Sequence, residues 1–335
     1  MGAAAGSAAG RESSAGPPAA ALVVDETSVD EILVDEHARR RPAGPLRPHI
    51  ACYTGYRQRG VPPAWHRGLP SPHLTLIFTL DEPLVLLAHP DPRQPPGDFG
   101  ALLGGLHSAP ALITHDGAQS GIQVALHPLG ARALLGLPAG ELASLDVPAE
   151  AVLGGACAEL RARAVAAAGW PERFAILDEI LLRLAAARDR AGPAPQAAPE
   201  VGWAWRQLLA SGGTTRIADL AAGTGWSSRH LASRFRAEIG LTPKAAARVI
   251  RFDRARHLLA RHVRSGSGAP LGGAPPGGAP PRAGYRLADL AAACGYFDQA
   301  HLAGEFRALA GCPPSQWITE EFRNVQAGAW LDEGA

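Results

Sequence analysis

Thr214 to Ile250 reads TTRIADLAAGTGWSSRHLASRFRAEIGLTPKAAARVI, and Tyr285 to Ile318 reads YRLADLAAACGYFDQAHLAGEFRALAGCPPSQWI. Laid on each other, Ile217-Ala218-Asp219-Leu220-Ala221 falls on Leu287-Ala288-Asp289-Leu290-Ala291 and Gly225 on Gly295. After one extra residue, Leu231 falls on Leu302, Phe235 on Phe306, Gly240 on Gly311 and Pro243 on Pro314. The chain therefore contains an internal repeat, and each copy predicts a short helix, a tight turn and a longer helix. In the first copy Ile217, Leu220 and Ala221 recur at helical spacing and Gly223 and Gly225 supply the turn. Ser227 caps a second helix whose apolar stripe is Leu231, Phe235 and Ile239. In the second copy Leu290, Gly295, the cap Asp298 and the stripe Leu302, Phe306 and Ala310 take the same places.

A short helix, a turn and a longer helix form the helix-turn-helix pattern, in which the second helix enters the major groove of DNA. Two copies in one chain resemble the paired helix-turn-helix domain of the AraC/XylS family of transcriptional regulators. The resemblance covers roughly residues 201 to 322. Its most specific elements are the A-D-L-A helices, the L-x-x-x-F spacing of Leu231 and Phe235, F-R-A-x-x-G in both copies and the closing G-x-x-P. It implies a sequence-specific DNA-binding regulator, with double-stranded DNA and RNA polymerase as partners. It also implies an N-terminal domain that senses a small-molecule effector and supports a homodimer.

Charge is distributed as that reading requires. The 335 residues carry 32 Lys or Arg against 31 Asp or Glu, a formal charge of +1. From Glu200 to Arg323, however, 16 basic residues face 9 acidic ones, whereas residues 1 to 199 hold 16 against 20. The basic half carries the repeat, and a phosphate-binding surface needs such an excess. With 47% apolar and 19% charged residues the chain is ordinary globular material, long enough for two domains.

Residues 1 to 45 read as a disordered N-terminal tail, in which Leu22-Val23-Val24 and Ile32-Leu33-Val34 are short apolar runs that could add an element elsewhere. Residues 46 to 190 read as an effector-sensing and dimerisation domain. Leu74, Leu76, Phe78 and Leu80 alternate with Thr75, Ile77 and Thr79, and Leu84 to Ala88 follows an Asp81-Glu82-Pro83 turn, which predicts a hairpin. Ile50 to Tyr56, Ala111 to Thr114 and Gly121 to Leu126 predict further strands, together a small antiparallel barrel or sandwich. Helical spacing follows at Ala131 to Leu135, Ala139 to Leu145, Ala156 to Ala167 and Pro171 to Arg188. The stripe of the last one, Phe174, Leu177, Ile180, Leu181 and Leu184, serves either packing on its own domain or pairing with a second subunit. The fold class expected is α+β: a β-rich, barrel-like sensor domain with flanking helices, then an all-α domain of two helix-turn-helix units joined by a long helix.

Residues 191 to 199, AGPAPQAAP, form a Pro/Ala linker, and the DNA-binding domain occupies residues 200 to 324. Val201 to Ala210 is its first helix, with Trp203, Trp205, Leu208 and Leu209 placed to pack under the turn. If Leu231 and Phe235 face inward, the first reading helix, Ser227 to Ile239, presents Ser228, Arg229, Ala232, Ser233 and Arg236. Arg229 is the candidate for a base contact, since a guanidinium binds guanine O6 and N7 together, with a phosphate clamp as the alternative role. Arg234 and Arg236 fit phosphates or surface pairs. The second reading helix, Asp298 to Ala310, presents Gln299, Ala300, His301, Ala303, Gly304 and Arg307. Ala303 and Gly304 stand where a long polar side chain would be useful, so this half is expected to read bases weakly and to rely on apolar contact or DNA shape.

Pro243 opens a long helix running to His262 whose stripe, Val249, Phe252, Ala255, Leu258 and Leu259, would touch both units. Its length of about 30 Å approaches the DNA pitch of about 34 Å. Arg251 matches a position that is characteristically Arg in the resembled family, which implies a structural or phosphate role. Residues 265 to 284, SGSGAPLGGAPPGGAPPRAG, are an insertion expected to be a mobile surface loop.

Nothing in the sequence points to catalysis, a cofactor or a metal. Eight histidines precede the repeat, including His66, His73, His107, His115 and His127, but none form H-x-H or H-x-x-x-H. No G-x-S-x-G, phosphate loop or dinucleotide fingerprint occurs. Cys52, Cys157, Cys294 and Cys312 form no C-x-x-C and fit buried thiols in a reducing cytoplasm. No signal peptide pattern or apolar run of membrane-spanning length is present, so a soluble cytoplasmic protein is expected. Two rival readings are a ligand-binding protein with a vestigial DNA-binding domain and a DNA-repair methyltransferase. The latter needs a reactive cysteine in a Pro-Cys-His-type setting, which Cys52 and Cys157 lack.

Overall fold

The alternation at residues 74 to 79 sets the layers. In the computed structural model, which describes residues 33–190, 192, 197–266 and 286–321, this segment is one of ten strands. These are β1 (Val34–Arg40), β2 (Ile50–Arg59), β3 (Ala64–Gly68), β4 (Leu74–Thr79), β5 (Leu84–Ala88), β6 (Gly97–Phe99), β7 (Ala101–Gly104), β8 (Ala111–His115), β9 (Gln119–Leu126) and β10 (Asp146–Pro148). They form a six-stranded sheet in the order β1-β2-β9-β4-β7-β10 and a four-stranded sheet in the order β3-β8-β5-β6. The two sheets stay separate rather than closing into a barrel.

On β4, Ile77 joins Leu84, Leu86, Leu102 and Ile113 in an apolar cluster shared by the two sheets. Leu74, Leu76 and Phe78 are fully buried in the larger core. That core is completed by the helices α1 (Ala131–Leu135), α2 (Glu150–Leu153), α3 (Gly155–Ala166) and α4 (Trp170–Arg190). Small sheet, large sheet and helices thus make three layers around period-2 strands.

Three expectations are corrected here. The hairpin of residues 73 to 88 does not form. β4 pairs with β7 and β9, which occupy both of its edges, and the Asp81–Pro83 connection carries the chain into the other sheet, where β5 pairs with β6 and β8. The tail ends earlier than residue 45, because Val34–Arg40 runs antiparallel to β2 from Val34 opposite Arg59 to Arg40 opposite Tyr53. Its VDEHARR sequence lacks an apolar alternation because it is a sheet edge, where charge prevents further pairing. Residues 139 to 145 are not an α-helix. A 3-10 turn covers Ala139–Leu142, Ser144 adopts φ 60°, and Asp146–Pro148 pairs with β7.

Helix α4 settles its own alternatives. Phe174, Leu177, Ile180 and Leu181 are buried in the domain core, with Phe174 stacked on Tyr53 at 5.9 Å, so most of the stripe packs on its own domain. Asp178 holds β1 to this helix: its carboxylate accepts from Arg40 at 3.0 Å, Tyr53 at 3.0 Å and the Ala43 amide at 2.9 Å.

The rest is helical: α5 (Pro199–Ala210), α6 (Ile217–Thr224), α7 (Ser228–Ile239), α8 (Pro243–Gly266), α9 (Leu287–Ala293), α10 (Gln299–Ala310) and α11 (Pro314–Glu321). Most of the linker, and the insertion beyond Gly266, lie outside the described residues, as does the apolar run at 22–24. The chain is α+β as a whole.

Candidate nucleic-acid interface

Each half of the repeat is built by the same local chemistry. Gly225 (φ +69°) and Gly295 (φ +74°) make the turns in the left-handed region that side chains resist. Ser227 Oγ accepts from the His230 amide at 3.2 Å, and Asp298 Oδ1 from the His301 amide at 2.7 Å, which caps α7 and α10. Gly240 and Gly311 close the same helices at φ +97° and +74°. The turn aromatic also repeats: Trp226 meets His230 edge-on at 4.6 Å and Tyr296 meets His301 at 5.3 Å. Leu231, Phe235 and Ile239 are buried in one unit, Leu302, Phe306 and Ala310 in the other.

The caps fix the correspondence between α7 and α10. With Ser227 on Asp298, Phe297 is the extra residue, and Arg229 lies on Ala300, Ser233 on Gly304 and Arg236 on Arg307. On α7, Ser228, Arg229, Ser233 and Arg236 are exposed and Ala232 is half-buried. On α10, Gln299, Ala300, His301 and Arg307 are exposed and Ala303 is half-buried. Among the described residues Arg229, Arg234, Arg236 and Arg307 have no ion-pair partner, so their guanidinium groups face solvent. His301 is already engaged, since its Nδ1 accepts from the Phe297 amide at 3.3 Å.

Helix α8 is the spine between the units. Val249, Phe252, Ala255 and Leu259 are buried, and Phe252 meets Phe306 of the second unit edge-on at 4.9 Å. Trp205 of α5 packs on Phe235 of the first unit at 6.1 Å. Arg248 binds both carboxylate oxygens of Glu305 through Nε, at 3.1 and 2.9 Å, and so joins α8 to α10. Arg251 donates to the Gly213 carbonyl at 3.1 Å and lies 5.8 Å over the Tyr296 ring, a structural position. Between the units opens a cleft lined by Thr214, Thr215, Arg216, Lys244, Arg248 and His301. Sequence reasoning passed over Thr214 to Arg216, although a basic residue at the start of α6 was a usable signal.

The β-rich half contributes a second, small cavity of about 70 Å³, partly open to solvent. Leu69, Ile77, Leu86 and Ile113 line it with Arg67, and Arg256 reaches it from α8. His89 and Asp146 are paired beside it at 2.8 Å, and Gln123 Oε1 is a buried acceptor without a partner. Arg67 also donates to Glu320 of α11 at 2.8 Å. On the first unit, Arg132 holds Glu238 of α7 through two bonds of 2.8 and 2.7 Å. His73 is half-buried, its ring 5.2 Å from His127. Burial first, then His127, drives its pKa down to about 3, with Asp253 opposing and His257 and Arg256 adding. Burial works against the Asp253 carboxylate, but Arg256 and His257 outweigh it and hold its pKa below the ordinary range.

The four cysteines are buried and unbridged, and burial followed by Glu150 pushes the Cys157 thiol up to about 12, the reverse of an activated nucleophile. Among the described residues no cluster of His, Cys, Asp or Glu could hold a metal, and no helix is long and apolar enough to cross a membrane.

A family model described as a domain of unknown function, DUF6597, matches residues 38–148. No curated protein matches the chain in sequence. Similar solved structures include ToxT from Vibrio cholerae O395, at 10% identity and a TM-score of 0.44 over 82% of this chain and 98% of that one. Unsaturated fatty acid bound wild-type ToxT from Vibrio cholerae strain SCE256 gives 11% identity and a TM-score of 0.44, over 84% and 97%.

Proposed function

We propose that this chain is a sequence-specific DNA-binding transcription regulator of the AraC type. Residues 200 to 324 read duplex DNA, and residues 46 to 190 modulate that reading through a small-molecule effector. The observation that carries this is the pair of helix-turn-helix units with matching caps and turns, set on one spine. At about 1.5 Å per residue α8 is about 36 Å long, close to the 34 Å DNA pitch, which suits two readers in successive major grooves. Ser228, Arg229, Ala232, Ser233 and Arg236 form the first reading face, and Gln299, Ala300, His301, Ala303 and Arg307 the second. Arg229 contacts a guanine, while Arg216 and Lys244 in the cleft bind phosphates.

The effector site is the cavity of the β-rich half. Arg256 supports this role, because it places a residue of the reading spine on the cavity wall. A regulator acting at promoters works on RNA polymerase, and a second copy of the chain is a candidate partner through a surface other than the α4 stripe.

The test is a gel-shift salt series with the full chain and a promoter fragment. Binding should favour that fragment over random DNA and fall steeply as salt rises. Equal affinity for both would refute the proposal and leave a ligand-binding protein with a vestigial DNA-binding half.

A further inference from the structure

Phe297 has no counterpart in the first unit. The inward aromatic of each turn is already supplied by half-buried Trp226 and buried Tyr296, which lean on His230 and His301. The inserted ring is left outside: Phe297 is 92% exposed, more than any other large apolar side chain among the described residues. Its backbone is nonetheless fixed, because its amide donates to His301 Nδ1 at 3.3 Å and the next residue, Asp298, caps α10. The ring therefore stands at the N-terminal end of the second reading helix, beside exposed Gln299 and Ala300. Residues at that end of a recognition helix are the ones that meet base edges.

Two facts say what would cover this ring. Ala300 occupies the place that Arg229 holds in the first unit, so the second helix lacks the guanidinium that reads guanine. Glu305 in the adjoining cleft is neutralised by Arg248, and the Asp298 carboxylate is spent on the His301 amide. This leaves Arg216 and Lys244, without an ion-pair partner among the described residues, lining the cleft beside His301, which suits a phosphate-bearing partner over an apolar protein face. In the major groove the C5-methyl group of thymine is the apolar feature that marks one base. We infer that Phe297 is a specificity residue of the second reader and packs on a thymine methyl group, an inference that rests on the DNA-reading function proposed above.

The full chain is first allowed to select its preferred duplex from a random-sequence pool. Each thymine of that duplex is then replaced in turn by deoxyuridine, which removes only the methyl group, and affinities are measured for the natural protein and for Phe297→Ala. At one thymine the natural protein should weaken about fourfold, the share of one buried methyl. Phe297→Ala should bind the thymine and uracil forms of that position alike while ranking the other positions unchanged. Phe297→Leu should keep part of the difference. An equal thymine-to-uracil ratio in the natural protein and Phe297→Ala at every position overturns the inference. So does a retained ratio accompanied by altered self-association in Phe297→Ala, which would assign the ring to a protein contact. A pool yielding no preferred sequence overturns the DNA-reading function itself, and this inference with it, a result distinct from the other two.

Discussion

Arg229 and His73 show opposite uses of one kind of atom, a nitrogen that can carry charge. Arg229 is exposed and unpaired among the described residues, so its charge is available to a ligand. Replacing it by Ala should cost about 1–3 kcal/mol of binding and relax specificity at a single base position, read from a panel of single-base substitutions. A uniform loss across all sequences would instead mark a phosphate contact. His73 is half-buried and kept neutral, facing His127 from its own half and Asp253, Arg256 and His257 from α8. Its folded pKa of about 3 lies below the ordinary 6.5, so the unfolded chain takes up a proton that the fold refuses. Stability is thus complete above pH 6.5 and is lost by about 1.4 kcal/mol per pH unit as pH falls from 6.5 toward 3. Urea unfolding at pH 7.5 and 5.5 should show this loss, and His73→Gln should reduce it.

Two glycines in the repeat separate intrinsic helix propensity from packing. Gly304 sits inside α10 with nothing within 4 Å of an added Cβ, so Gly304→Ala should stabilise by about 1 kcal/mol. Gly223 sits inside α6, but a Cβ there would lie 2.2 Å from the Trp203 ring, so Gly223→Ala should destabilise by about 1–3 kcal/mol. Thermal melts that move in opposite directions would establish both effects. The repeat was legible because its caps, turns and stripes are local: Ser227 needs only its own helix to act. Strand pairing was legible in kind but not in partner. The residues of β4 alternate as a strand must, yet nothing in them says that β7 and β9 will occupy both edges before β5 arrives. Edge strands such as β1 carry charge instead of alternation and read as tail. The exposed faces of α7 and α10 were visible from periodicity, whereas Arg256 on the cavity wall depends on how two halves dock, which no local pattern encodes.

The β-rich half grips the two helix-turn-helix units at separate points, Arg132 on Glu238 of α7 and Arg67 on Glu320 of α11. Glu238 is buried in this contact, so Arg132→Met would strand its carboxylate and should cost about 3 kcal/mol. The first unit should then come loose from the β-rich half, seen as faster limited proteolysis between residues 190 and 200. Helix α8 has a wide reach: it packs on both helix-turn-helix units, and its Arg256 lines the cavity of the β-rich half. On the proposed function, any coupling between the cavity and the DNA-facing helices is reciprocal by linkage. Any molecule in the cavity that changes DNA affinity by some factor must itself be held more or less tightly by the same factor once DNA is bound. On the proposed function the operator would act as a cofactor for effector binding, and titrating effector with and without duplex would measure the coupling from the side of the cavity.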